Sequence, residues 1–151
     1  MEIAISSHHL FQIFLQLALA AVLGAFIGIE RELRKKEAGL RTYTLVSLGA
    51  CIFTIIALHL AVSHLGIVDP GRVIQAIAIG IGFIGGGVIF QRPSRIEGLT
   101  TAAGLWVAGA VGVGVGIGFY SLAILATLFT VFILVGFGFL EKRFFKKEGN
   151  I

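Results

Sequence analysis

Charged residues are confined to a few short segments of the 151-residue chain, and long uncharged stretches separate them. The first three stretches, 10–29, 43–65 and 73–90, are each close to the roughly 20 apolar residues that a helix needs to cross about 30 Å of hydrocarbon. The last, 98–140, is about twice that length and contains glycine and polar residues near its middle. The pattern predicts five transmembrane helices, at about 10–29, 43–65, 73–90, 99–116 and 120–140.

The composition excludes most soluble functions. Hydrophobic residues make up 57% of the chain and charged residues 13%, and the mean hydropathy is +0.99. A soluble enzyme, a nucleic-acid-binding protein and a disordered tail each need polar surface that this chain lacks. No Ser/His/Asp, Cys/His or paired-carboxylate arrangement stands out, so we expect no enzymatic activity and no cofactor. We predict an all-α integral membrane protein that forms a single transmembrane domain over 1–151 in the lipid bilayer.

Lysine and arginine are distributed unevenly around the predicted helices. Basic residues that flank membrane spans are retained on the cytoplasmic side. If five helices alternate in direction, every lysine and arginine except Arg72 falls on one side, so the N-terminus is predicted outside and the C-terminus in the cytoplasm, followed by a basic tail at 141–151. The basic residues on the predicted inner side are Arg31, Arg34, Lys35, Lys36, Arg41, Arg92, Arg95, Lys142, Arg143, Lys146 and Lys147.

Glycine is abundant, with 21 residues, and it concentrates inside the predicted helices. Helices in lipid associate through close backbone contact across small residues, because lipid tails are as apolar as the helices themselves. The dense glycine run in the third helix therefore predicts that this helix is central in the bundle. The alternative is that the run breaks the helix and exposes backbone carbonyls to a water-lined site. The candidates for either role are Gly82, Gly85, Gly86 and Gly87.

The most densely charged segment, 30–41, follows the first predicted helix. Acidic residues recur in it four positions before a basic residue, which is typical of a solvated helix that extends out of the membrane. Glu30, Arg31 and Arg41 lie where the first two helices enter lipid, and an unpaired charge there would be costly. A buried ion-pair network of these three residues is therefore the alternative to a solvated extension.

Polar residues also enter the membrane with the second and fourth predicted helices. Threonines can bond to their own helix or to a neighbouring one, and tryptophan commonly anchors a helix at the interface. Local roles would explain each of these residues, but together they can also form one polar cluster at the cytoplasmic end. The predicted cluster comprises Glu30, Arg31, Arg41, Thr42, Thr100, Thr101 and Trp106.

The outer end of the third helix has its own polar pair, Asp69 and Arg72. Aspartate at the N-cap followed by Pro70 at the first helical position is a standard start signal for a helix. Because hydrated divalent cations are held by one or two carboxylates, Asp69 is alternatively a metal ligand at the outer mouth. Mg²⁺ would then be a transported or sensed ion.

Two helical hairpins resemble each other in sequence. Phe26-Ile27-Gly28 matches Phe83-Ile84-Gly85, and the segment that begins at Gly39-Leu40 matches the one that begins at Gly98-Leu99. We treat a duplication as a hypothesis, in which the cytoplasmic starts of the second and fourth helices meet near a common axis.

Five short segments follow one another in a specific order along the chain, namely 27–32, 39–42, Asp69 with Arg72, 80–87 and 98–106. Together they resemble the membrane domain of the MgtC/SapB family, and the resemblance covers roughly residues 10–130. The resemblance implies a bacterial inner-membrane protein linked to magnesium homeostasis and, in pathogens, to survival inside host cells. It also implies one of two activities, either cation transport or the regulation of another membrane complex such as the F-type ATP synthase.

The chain resembles the short, SapB-like form of that family, because members of the MgtC type continue into a soluble C-terminal domain. We expect a role in magnesium or related ion homeostasis, and in the transport version cations pass from Asp69 to the region of Gly85–Gly87. In the alternative version, the glycine faces of the helices bind another membrane complex and no ion crosses. A homo-oligomeric scaffold or a lipid-interacting protein is a third expectation.

Overall fold

A computed structural model of the protein describes residues 7–62, 69–93 and 95–144. Within these residues the predicted five helices are present in the predicted order. The last part of the predicted second helix, 63–65, and most of the predicted tail, 145–151, lie outside the described residues. The elements are α1 (Ser7–Leu33), α2 (Leu40–Val62), α3 (Pro70–Gly87), β1 (Phe90–Arg92), β2 (Arg95–Glu97), α4 (Leu99–Ile117) and α5 (Tyr120–Phe144).

A short β-hairpin between α3 and α4 replaces the predicted end of the third helix. The strands β1 and β2 pair antiparallel, with Phe90 opposite Glu97, and Pro93 lies in the turn. Proline cannot continue a helix, because it has no backbone N–H and its ring clashes with the preceding turn. Gly98 then joins the hairpin to α4 with a φ of 87°, a left-handed conformation that glycine adopts without strain. A side chain at this position would also collide with the carbonyl of Val88.

In the described part of the chain, four helical segments are long and apolar enough to cross a membrane, namely α1, α2, α4 and Tyr120–Leu140 of α5. The shorter α3 has 18 residues and carries polar side chains near its start. It nevertheless runs from one end of the bundle to the other, as its neighbours do. Pro70 lines a small cavity together with Ile117 at one end of the bundle, and Gly85 contacts Ala102 near the other end.

The central helix of the bundle is α4, which contacts each of the other four helices. The side chains of Leu105, Ala108 and Val115 are fully buried. The prediction that the third helix is central is wrong, because α3 packs mainly against α2 and α4, and only Ile81 and Gly85 of α3 are buried. Glycine content alone did not distinguish the two helices, since it does not reveal which faces meet a neighbour.

Close helix crossings in the bundle coincide with glycines of α1 and α4. A Cβ atom placed on Gly24 would lie 2.8 Å from the Cβ of Ser47, and one placed on Gly116 would lie 2.7 Å from the Cβ of Thr54. Real Cβ atoms do not approach other atoms so closely, so a larger residue would push α2 away. The α2 helix is therefore held against both α1 and α4 at positions where these helices have no side chain.

The glycine run of α3 does not break the helix, which is continuous to Gly87, so the structure does not have the discontinuity that was the alternative to close packing. Gly85 is in ordinary van der Waals contact with Ala102. Positions 82, 86 and 87 have no other part of the described chain within 4 Å of a Cβ built there. Apart from Gly85, the run therefore faces outward from the bundle.

One contact is equivalent in the two hairpins that resemble each other in sequence. Gly28 of α1 lies against Tyr43 of α2, and the matching Gly85 of α3 lies against the matching Ala102 of α4. The connections differ, since a short loop joins α1 to α2 and the β-hairpin joins α3 to α4. The duplication remains a hypothesis that this shared contact supports.

Candidate functional site

The last turns of α1 contain a buried charged cluster. Glu30 and Arg31 are 7% and 3% exposed, although both are ionisable. Arg31 donates a hydrogen bond from Nε to Oε2 of Glu30 at 2.5 Å, and Nε of Arg34 lies 2.5 Å from Oε1 of the same carboxylate. Oε1 accepts no hydrogen bond within the described chain, so its contact with Arg34 is an ion pair. One carboxylate is thus held between two guanidinium groups.

The segment that follows α1 turns back instead of extending the helix. Lys35 has a φ of 52°, which reverses the chain direction. The carboxylate of Glu32 accepts the N–H of Leu40 at 3.1 Å and so satisfies a free donor at the start of α2. Because α1 ends at Leu33, the helical pairing expected between Glu37 and Arg41 is not formed.

Glu37 instead ties this loop to the start of α4. Its carboxylate accepts a hydrogen bond from Oγ1 of Thr101 at 2.6 Å, and this bond is the main reason that the pKa of Glu37 is lowered. The carbonyl of Thr101 accepts a hydrogen bond from the Tyr43 hydroxyl at 3.0 Å. Thr101 therefore joins the loop, α2 and α4, and it is 1% exposed.

The loop between α1 and α2, the β-hairpin, the start of α4 and the end of α5 enclose a cleft of about 850 Å³, which we call the basic cleft. Glu97 forms an ion pair with Arg95 on the same strand, β2, and Glu37 accepts a hydrogen bond from Thr101. Basic side chains outnumber acidic ones in the lining, so the cleft favours anions. Its charged lining residues are Arg31, Arg34, Lys35, Lys36, Arg95, Glu37 and Glu97, and its apolar wall on α5 is Ile133, Leu134 and Phe137.

The structure divides the predicted polar cluster. Thr100 and Thr101 line the basic cleft together with Arg31. Glu30 does not line the cleft, but its carboxylate accepts a hydrogen bond from Arg31. Trp106 is exposed and does not line the cleft.

The other two members of the predicted cluster lie elsewhere. Arg41 and Thr42 line a separate, mostly apolar cavity of about 620 Å³ between α2 and α3, which also contains Phe53 and Ile81. The prediction of one cluster with Arg41 in the ion-pair network is therefore wrong. The reason is that successive residues at the start of α2 point in different directions around the helix.

Sequence reasoning missed the contribution of α5 to this site. Arg34 reaches α5, where its Nη2 atom lies 3.5 Å from the carbonyl oxygen of Val135. A Cβ on Gly138 would lie 2.5 Å from Nη1 of Arg34, so the absence of a side chain there makes room for the guanidinium. Glycine among the bulky residues of α5 is the one signal in the sequence that could have indicated this contact.

The outer polar pair lies at the opposite end of the bundle. Asp69 is the N-cap of α3, and its Oδ1 atom accepts the N–H of Gly71 at 2.8 Å. Nε of Arg72 lies 3.9 Å from Oδ2 of Asp69, and both side chains are exposed. Among the described residues, no three His, Cys, Asp or Glu side chains come together as a metal site, so the role of Asp69 as a ligand stays a prediction.

The apolar helices and the internal packing define a multi-pass α-helical membrane protein with a basic cleft at one end. The chain belongs to the MgtC family, whose profile matches residues 17–143. No solved structure matches the chain.

Three relatives illustrate the range of the family. YhiD of Escherichia coli (strain K12), which is provisionally named as a magnesium transporter, is 39% identical over 145 residues, covering 93% of this chain and 67% of its own. Protein SrpB of Synechococcus elongatus is 36% identical over 137 residues, covering 84% of this chain and 75% of its own. Protein MgtC of Brucella abortus is 45% identical over 115 residues, covering 76% of this chain but 47% of its own.

Proposed function

We propose that this chain is a protein of the bacterial inner membrane that acts in the homeostasis of magnesium or a related ion. The observation that carries the proposal is the family match over 17–143, because it includes the basic cleft, the outer polar pair, all of α2, α3 and α4, and most of α1 and α5. The name of YhiD supports magnesium as the ion. In this proposal the protein binds or conducts the ion and performs no reaction on it.

The proposed orientation places the basic cleft in the cytoplasm and Asp69 outside. The distribution of charge between the two ends of the bundle supports it, since basic residues beside membrane spans are retained in the cytoplasm. The loop after α1 and the β-hairpin both contribute basic side chains to the same end. This orientation requires α3 to cross the membrane, and its packing alongside α2 and α4 supports such a crossing.

Asp69 is the residue that would receive a cation at the outer end. Its side chain is 63% exposed, and Oδ2 has only the 3.9 Å contact with Nε of Arg72 within the described chain. Hydrated Mg²⁺ keeps most of its water and is bound through one or two carboxylates. An exposed aspartate whose Oδ2 has only this long contact is therefore sufficient for a first, water-mediated contact.

Asp69→Asn is expected to abolish magnesium flux into proteoliposomes while the protein stays folded. Asparagine is as effective as aspartate at the N-cap, so the substitution removes the negative charge and keeps the cap of α3. A magnesium indicator inside the vesicles measures the flux at equal protein density, and thermal unfolding in detergent checks the fold. Arg72→Gln is the matched control and should retain flux. Equal flux in the wild type and Asp69→Asn would contradict a role of Asp69 in transport.

A specific observation favours the non-transporting alternative, in which the protein regulates another membrane complex. Gly80, Gly82, Gly86 and Gly87 of α3 have no other part of the described chain within 4 Å of a built Cβ. Phe83, on the same helix, is 86% exposed. Small residues on an open helix face allow the close backbone contact through which membrane helices associate. In this version α3 docks on a helix of the partner, for which the family resemblance indicates the F-type ATP synthase.

Gly86→Leu is expected to remove the ATP synthase from a pull-down of the tagged protein without lowering its thermal stability. The leucine would occupy the open face of α3, where it blocks a close helix contact and where its Cβ has no other part of the described chain within 4 Å. Gly49→Leu is the matched control, because a Cβ on Gly49 of α2 also has no other part of the described chain within 4 Å, but Gly49 faces the cavity between α2 and α3 and not the open face of α3. Retention of the partner by Gly86→Leu would exclude this face as the docking surface.

A further inference from the structure

The basic cleft has the charge of an anion site, and the proposed role in magnesium homeostasis does not use it. Five basic side chains line it against two acidic ones, which leaves an excess of three positive charges: Glu97 is paired with Arg95, and Glu37 keeps its negative charge while it accepts a hydrogen bond from the neutral Thr101 hydroxyl. Within the described chain, neither Lys35 nor Lys36 forms an ion pair, although Lys36 is close enough to Glu37 to help lower the pKa of that carboxyl. A cation entering the cleft would be repelled by this excess of positive charge, whereas an anion would be attracted by it.

Arg31 and Arg34 are held in place before any ligand arrives. Glu30 binds the Nε atom of each guanidinium, so the terminal amino groups of Arg31 remain available on the cleft side. The planar fork of a guanidinium matches two oxygens of a phosphate group. Because Arg31 is 3% exposed and already ordered, its side chain loses little freedom when a ligand binds.

The start of α4 adds neutral donors to the same cleft. Gly98 is its N-cap, and no side chain among the described residues caps this end. The first N–H groups of a helix have no partner within the helix, and Leu99 and Thr100 both line the cleft. Such donors favour a phosphate group in addition to the basic side chains.

The opposite wall of the cleft is apolar. Ile133 and Phe137 of α5 are 47% and 56% exposed, and they lie on a segment that is apolar enough to cross the membrane. A fully water-soluble anion would gain nothing from this wall. A molecule with a phosphate group beside hydrocarbon chains would bind both surfaces at once, with the phosphate on the bases and the chains along α5.

We infer that the basic cleft binds a phosphate-bearing anion, and that its occupant is the headgroup of an anionic phospholipid whose chains run along α5. The phosphate contacts Arg31, Lys36 and Arg95, and the start of α4 supplies N–H donors. The site is separate from Asp69, so it holds whether or not the protein transports magnesium. A free phosphate compound would make the same contacts with the basic side chains, but it has no hydrocarbon chains to contact the apolar wall on α5.

The experiment measures retained lipid and thermal stability for the purified full chain. Native mass spectrometry counts the phosphatidylglycerol molecules that stay bound after extraction from nanodiscs of phosphatidylcholine with added phosphatidylglycerol. The thermal unfolding temperature in detergent is then measured in three samples: with added phosphatidylglycerol, with added inorganic phosphate, and with neither. The cleft variants are Lys36→Gln and Arg95→Gln. The matched control is Arg41→Gln, which removes an exposed base at the start of α2 that lines the other cavity.

Wild-type protein is expected to retain phosphatidylglycerol and to unfold at a higher temperature in its presence. Each cleft variant should weaken this binding about fivefold, as expected for one base near an anionic headgroup, whereas Arg41→Gln should bind as the wild type does. Stabilisation by inorganic phosphate alone, lost in the same cleft variants, would support the anion site and assign it to a soluble ligand instead of a lipid. Equal weakening by Arg41→Gln, or no stabilisation by either anion, would overturn the proposal.

Discussion

Replacing Glu30 with glutamine is expected to destabilise the protein by about 3–5 kcal/mol, the range found when one partner of a buried ion pair is removed. The carboxylate of Glu30 is the common partner of Arg31 and Arg34, so its loss leaves two guanidinium groups close together. Arg31 is affected most, because it is 3% exposed and has no other hydrogen-bond partner within the described chain. Reversible unfolding in mixed micelles, followed by circular dichroism, measures the free energy of unfolding.

Two further variants make the Glu30 prediction specific. Glu32→Gln is the matched control, because Glu32 is exposed, has no ion-pair partner within the described chain and can keep its acceptor for the Leu40 N–H. It should change the free energy of unfolding by less than about 1 kcal/mol. Glu30→Gln combined with Arg31→Met should recover part of the loss, since replacing both members of a buried pair is less costly than removing one. A single Glu30→Gln variant as stable as the wild type would contradict the buried pairing.

Gly112→Leu is expected to cost about 3 kcal/mol or more, which is the upper part of the range for overpacking a core. A Cβ on Gly112 would collide with the backbone carbonyl of Ser47 and lie 3.0 Å from the Cβ of Ala50. Backbone cannot move aside as a flexible side chain can, so α2 and α4 would have to separate. Thermal unfolding in detergent and the fraction of monodisperse protein after purification measure the effect.

Gly82→Leu is the matched control for Gly112→Leu. The same change is made inside a helix, but nothing else in the described chain lies within 4 Å of the new Cβ. Leucine has the higher helix propensity, so this variant should be as stable as the wild type or slightly more stable. If both variants lose stability equally, the cost reflects a general intolerance of leucine at glycine positions and not the α2–α4 crossing.

The helix boundaries illustrate one limit of sequence reasoning. The first helix was predicted to end at residue 29, because the charges of Glu30 and Arg31 marked the edge of the apolar stretch. The helix in fact continues to Leu33, with both residues buried. A hydropathy pattern treats each charge as exposed, whereas these two charges neutralise each other within the bundle. The pairing depends on the position of Arg34 and on the room that Gly138 leaves for it.

The basic cleft illustrates a second limit. Its residues come from the loop after α1, the β-hairpin, the start of α4 and the end of α5, which are far apart along the chain. Sequence reasoning selected Arg31, Thr100 and Thr101 because they lie at the predicted membrane boundary. It assigned Lys35 and Lys36 to a solvated helix, because the four-residue spacing of acids and bases in that segment is also typical of an exposed helix. No sequence pattern predicts the turn at Lys35, which brings these side chains to the cleft.

The sequence by itself determined the membrane environment, the number and order of the helices, the cap of α3 by Asp69 and the family. Each of these follows from local features, namely the length of uncharged stretches, short motifs and their order along the chain. Only the tertiary structure decided that α4 is central, that the glycine run of α3 faces outward, and that four separate segments form one basic cleft. These properties depend on which helix faces meet, and helix periodicity leaves that open when a helix is apolar on every side.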